Sequence, residues 1–190
     1  MMKKSSVRLL LYLGILPLLL LPVNGADTRI TKVARIDLPP KGKVLVNIHG
    51  TFRDLVRYAI FGEDGTFLMD LPQHSECQLT CEPGTKSFIA IGSNVAVVTA
   101  DLVADKVYDL AIDRQGFSTK FVILAQDPKY RKNLESIEKK EKDNIFTLER
   151  DEAAVKFEAA QKERLLAIKS DFLGGKKSGR VARLGKDDCR

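Results

Sequence analysis

The sequence predicts a mainly β protein with a helical appendage, an antiparallel β-sandwich followed by a long amphipathic C-terminal α-helix. Three observations carry that expectation. From Ile30 to Leu124, short apolar runs are broken every 8 to 12 residues by turn residues, the rhythm of a sandwich or barrel. The connections Gly92-Ser93-Asn94 and Arg114-Gln115-Gly116 are short, as between antiparallel neighbours. After Asp127-Pro128 the apolar spacing lengthens to steps of three and four, with no Gly or Pro until Gly174-Gly175.

The chain begins with a basic stretch, MMKKSSVR, then the uncharged apolar run LLLYLGILPLLLLPV, and turns polar at Asn24. This is the layout of a cleaved secretory signal peptide. Val23 and Gly25 suit the peptidase, so the cut is expected after Gly25, with Ala26 as the alternative. Leu9 to Val23 is 15 residues with two prolines, short of the roughly 20 that span a bilayer. The nearest cysteine to the cut is Cys77, which argues against a lipid anchor. The predicted division is 1–25 signal peptide, 26–126 β-sandwich domain, 127–173 helix and 174–190 disordered basic tail.

Charge follows that division. Residues 26–126 carry 11 basic and 12 acidic side chains, 127–173 carry 11 of each, and the last 17 residues carry six basic and two acidic. The basic excess therefore belongs to the tail, which makes a specific nucleic-acid-binding body improbable and leaves the tail as a contact for an anionic polymer or membrane surface.

Within the β region, Thr31 to Asp37 alternates like an edge strand. Lys43 to His49 alternates well, with Val44, Val46 and Ile48 on one face and Leu45, Asn47 and His49 on the other. Leu55 to Phe61 is a more continuous apolar run, as in a strand covered on both sides. Asp64-Gly65 marks a hairpin and Pro83-Gly84 a turn. Between them lie Thr66 to Leu71 and Ser75 to Glu82. The second places Cys77, Leu79 and Cys81 opposite Glu76, Gln78 and Thr80. Lys86 to Ile91, Val95 to Leu102, Lys106 to Ile112 and Ser118 to Ala125 complete about nine strands.

Asp127 before Pro128 is a helix start. Leu134, Ile137, Ile145, Leu148, Val155 and Leu166 form the stripe expected to bind a partner, interrupted by Glu141 and Lys162. Two arrangements fit. One is a rod that pairs as a coiled coil; the other is two helices broken near Lys142-Asp143-Asn144 and folded back on the sandwich. The charged interruptions count against a clean coiled coil. The expectation is one long helix that needs a partner surface.

Chemistry-bearing residues are few. His74-x-x-Cys77-x-x-x-Cys81 invites a zinc reading, but alternation turns His74 away from both cysteines. Two residues four apart on a strand lie about 13 Å apart, beyond the roughly 7 Å that a disulfide allows. A bridge to Cys189 stays open as a disulfide or thiol site. His49 is expected at a strand end, exposed or hydrogen-bonded. Asp101, Asp105, Asp109 and Asp113 recur every four residues and are expected on the surface, although together they could collect calcium. Gly-x-Ser-x-Gly and phosphate-loop patterns are absent from the sequence. No catalytic residue, cofactor or metal is predicted.

Lys43 to Asp113 resembles the small β-sandwich domains of uncharacterised bacterial envelope proteins, many of them lipoproteins. The shared features are the strand before Gly65, Leu68-x-x-Leu71, the Cys81-Glu82-Pro83-Gly84 turn and Val107-Tyr108-x-Leu110. This chain departs from that group in lacking a lipidation cysteine and in adding the helix. The resemblance implies an envelope location and a binding or structural role. The function expected is a secreted or periplasmic, non-enzymatic protein whose helix mediates self-association or docking to an assembly. A carrier or chaperone-like binder and a metal-dependent hydrolase are the competing classes.

Overall fold

A computed structural model describes residues 30–51, 57–115, 118–175, 177 and 181–190. The leader expected over 1–25 lies outside the described residues. The protein is mainly β, with two sheets and two helices. The strands are β1 (Ile30–Lys32), β2 (Val44–Gly50), β3 (Tyr58–Gly62), β4 (Phe67–Leu71), β5 (Glu76–Cys81), β6 (Gly84–Ile91), β7 (Val95–Leu102), β8 (Val107–Gln115) and β9 (Ser118–Ile123). Then come α1 (Pro128–Glu141), β10 (Ile145–Leu148), α2 (Glu152–Leu173) and β11 (Ala182–Leu184).

One sheet runs β1-β10-β5-β2-β8-β9 and the other β11-β7-β6-β3-β4. The expected purely antiparallel pairing is corrected. Each sheet is mixed, because β2 runs parallel to β8, β10 to β5 and β11 to β7. The tight connections do join antiparallel neighbours, β6 to β7 and β8 to β9. The parallel pairs join strands distant in sequence, a relation that loop length does not reveal.

The sheets share a core. Val44, Val46 and Ile48 of β2 and Tyr108, Leu110 and Ile112 of β8 meet Tyr58, Ile60, Met69 and Leu71 of the second sheet. Alternation therefore sorted β2 correctly. The other face of the second sheet is also apolar. Phe61, Phe67, Ile89 and Val97 pack there against Leu165, Ile168 and Phe172 of α2. Phe157 completes a ring cluster with Phe61 and Phe67, at centroid separations of 5.8 and 5.0 Å. Such contacts add about 0.5–1.5 kcal/mol per ring pair beyond area burial. Helix α1 covers the first sheet in the same way, with Tyr130, Leu134 and Ile137 on Ala111, Val122 and Leu124. The order of layers is α1, first sheet, second sheet, α2.

The single helix expected over 127–173 is likewise corrected. Asp127 caps α1 by accepting from Lys129 N, with Pro128 at the start. The helix ends at Glu141, and Asn144 N donates back to Glu141 O at 2.6 Å. Asp143 and Asn144 favour turns over helix interiors. Ile-Phe-Thr-Leu then suits a strand, and an open edge of β5 is there to receive it. Asp151 starts α2 by accepting from Ala154 N at 2.9 Å.

The boundaries drawn at 126/127 and 173/174 do not separate structural units, because β10 inserts into the first sheet and β11 into the second. The tail expected to be disordered holds β11, whose Leu184 is 2% exposed, and its Cys189 bridges to Tyr108. The Thr31 to Asp37 strand pairs only as far as Lys32.

Candidate functional site

The outer face of the first sheet carries the polar residues that alternation had turned away from the core. Strand register brings three strands together there. His49 lies opposite Glu76, and Asn47 stands between Gln78 and Asp109. Helix α1 lowers Glu138 and Glu141 onto this face. Arg35 arrives from the β1–β2 connection and Arg190 from the C-terminus. Cover from the helix and these segments turns an expected polar surface into an interior. His49 and Glu76 are fully buried, and Glu141 is 2% exposed.

His49 Nδ1 is 2.7 Å from Glu141 Oε2 and 3.9 Å from Glu76 Oε2, and its Nε2 is 3.5 Å from Asp109 Oδ1. Arg190 clamps Asp109 through Nε at 2.9 Å and Nη2 at 3.2 Å, and reaches Glu138 at 2.9 Å. Asn47 Nδ2 donates to Asp109 Oδ1 at 2.9 Å, and Gln78 donates to Asn47 Oδ1 at 3.1 Å. Arg35 pairs with Glu138 and stands 3.2 Å from Glu76 Oε2. That last approach lacks hydrogen-bond alignment, and both Glu76 oxygens are buried with no donor among the described residues.

Burial opposes a charge on His49. The bonds to Asp109 and Glu141, with the charges of Glu141 and Glu76, outweigh it and push the imidazole up to about 9. Burial raises Glu76 and Glu141 above the usual carboxylate range, against the pull of His49 and Arg35. Asp109 is buried too, yet His49, Arg190 and Asn47 hold it below that range. His49, Glu76 and Glu141 each offer one ligand atom, all within 4.8 Å of one another, so these three could hold a metal ion.

The sequence-predicted sites fall elsewhere. His74 is exposed at a positive φ of 51°, bonded to Gln73, while Cys77 lies in the shared core. Cys77, Cys81 and Cys189 are all free thiols, and burial pushes the first two up. The four aspartates scatter. Asp101 accepts from Thr85, Asp105 from Gly42 N, Asp113 bonds Tyr130, and only Asp109 enters the cluster. Of the expected partner stripe, Leu134, Ile137, Ile145 and Leu148 are used within the chain itself. Val155 and Leu166 are 49% and 58% exposed.

The missed site had a faint sequence signal. Asn47 and His49, Glu76 and Gln78, and Asp109 all sit on strand faces opposite core residues, and Glu138 and Glu141 are one helical step apart. Nothing local says that one helix buries them all.

The fold and cluster together define a two-sheet, two-helix protein with an enclosed ionic network. Neither the family models nor the curated proteins contain a match to this chain.

Proposed function

We propose that the chain is a secreted or periplasmic, non-enzymatic binding protein of the cell envelope. In this reading it is a β-sandwich with a helix on each outer face, and α2 meets the partner. The supporting observation is a recess of about 350 Å³ between α2 and the β3–β4 hairpin, where Val155 and Leu166 remain exposed. Against catalysis stands the burial of His49, Glu76 and Glu141 within the ionic network. The carrier alternative is weakened because the sheet face beneath α2 is already filled by aromatic rings.

The recess favours a different protein over a second copy. Val155, Ala159, Lys162, Leu166 and Lys169 follow three- and four-residue steps along its helical wall. Antiparallel self-pairing of that wall sets Lys162 against Lys162, a costly like-charge contact. Lys162 has no ion-pair partner among the described residues, whereas Glu158 is taken by Arg150 and Lys169 by the Glu63 carbonyl. The partner is therefore a protein segment presenting a large apolar side chain beside a carboxylate. The location follows the leader expected over residues 1–25 and the resemblance expected for residues 43–113.

Selection of displayed peptides on the full chain tests this. Enriched peptides should pair Leu, Ile or Phe with Asp or Glu, and Leu166→Glu or Lys162→Glu should abolish their binding. Enrichment indifferent to both substitutions refutes the site. A concentration-dependent dimer in sedimentation, lost in Leu166→Glu, would assign the recess to a second copy instead.

A further inference from the structure

The charge balance around His49 is incomplete. Four carboxylates, Glu76, Glu141, Asp109 and Glu138, face the two guanidiniums of Arg35 and Arg190. Asp37 also touches Arg35, but it is 88% exposed and screened by water. With all four ionised, two negative charges remain. A proton on His49 covers one of them; a divalent cation on a neutral imidazole covers both. Glu76, at 0% exposure, has Arg35 beside it but no hydrogen bond among the described residues, and its carboxylate lies in the same space. Buried polar atoms without partners are rare in folded proteins and call for an explanation such as an ion.

We propose that His49 Nδ1, Glu76 and Glu141 Oε2 form a buried site for one first-row divalent cation of the zinc or manganese kind. Three atoms within 4.8 Å of one another share a centre no more than about 2.8 Å from each, and zinc takes N and O donors at about 2.0–2.2 Å. Side-chain shifts below about an ångström close that gap, with no backbone movement. One imidazole with two carboxylates suits zinc and manganese better than an all-oxygen ion such as magnesium or calcium. Asp109 behind Nε2 supplies the outer carboxylate that orients a metal-bound histidine, and Arg190 and Asn47 hold it in turn.

Entry would run beside Arg35, whose side chain is 20% exposed. Its segment crosses the site as an irregular strap, tied by Ile36 to the Gln78 side chain and by Val33 N to Ile145 O. Displacing that strap would uncover Glu76 from the side of Arg35. On binding, the proton on Nδ1 leaves to solvent as the metal takes its lone pair.

The test uses the full chain stripped with EDTA and titrated with zinc and manganese chlorides by calorimetry. The expected result is one equivalent of at least one metal with Kd below about 1 μM. Glu76→Gln, which keeps the shape and removes the charge, should weaken binding at least about tenfold. Glu141→Gln is the second variant, should the first fail to fold. Cobalt(II), as a spectroscopic substitute, should show visible d–d bands without a thiolate charge-transfer band. Less than half an equivalent bound by the wild type overturns the proposal. So does unchanged affinity in either folded variant, or a thiolate band, which would move the metal to the cysteines.

Discussion

Replacing His49 by alanine removes the cation that three buried carboxylates surround, and the structure sets the size of the effect. At the 2.7 Å separation from Glu141, an effective dielectric near 20 gives a gross attraction of about 6 kcal/mol. Desolvation of both groups takes back much of this, so the pair's net contribution is far smaller. The variant does not restore that desolvation. Glu141, Asp109 and Glu76 stay buried, and the imidazole they faced is gone. Loss of one partner from a buried pair costs about 3–5 kcal/mol, a large share of the roughly 5–15 kcal/mol typical of a folded domain. Urea unfolding at pH 7 in EDTA, followed by far-ultraviolet circular dichroism, measures the loss with any bound metal removed. The m-value should hold while the midpoint falls. The other histidine is the control, since His74 is exposed and His74→Ala should stay within about 0.5 kcal/mol. A His49→Ala loss below about 1 kcal/mol would refute the view that the network is buried and mutually dependent.

Gly92→Ala should destabilise by about 1–3 kcal/mol, because the new Cβ would stand 2.6 Å from Cε1 of the fully buried Tyr58 ring. An unchanged urea midpoint would show the ring free to move. Leu184→Ala should cost about 2–5 kcal/mol, as its side chain lies in the shared core; a loss under about 0.5 kcal/mol would mean that β11 adds nothing to the fold. Asp70 is 2% exposed, and its pKa is raised by burial, against the pull of Arg57 at 3.2 Å. Its folded form thus retains the proton above the unfolded value near 3.8, so wild-type stability falls as pH rises through the raised value. Asp70→Asn should remove that slope, and the stability difference between variant and wild type should grow from pH 4 to pH 7. A difference constant with pH would contradict the assignment.

The strands were legible because their signals are local. Alternation in Val44–His49 and Glu76–Cys81 follows from the two-residue period of an extended chain, so the residues themselves name the core face. Asp127-Pro128 likewise placed the start of α1 within a residue. The same alternation placed Asn47, His49, Glu76 and Asp109 on the opposite face, and there the local argument stopped.

Whether that face meets water or protein depends on α1, more than 75 residues downstream of His49 in the chain. The sequence offered a break near Lys142-Asp143-Asn144 but could not decide for it, because Ile145–Leu148 fits a helix stripe and a strand equally well; a free sheet edge at β5 decided between them. The tail reads as polar and Gly-rich, yet Leu184 and Arg190 find partners that only the assembled sheets provide. By itself the sequence determined where β2 to β9 lie and, for β2 and β5, which way their side chains turn. Tertiary structure decided what covers each face, and so converted an ordinary strand-end histidine into the centre of a buried ionic network.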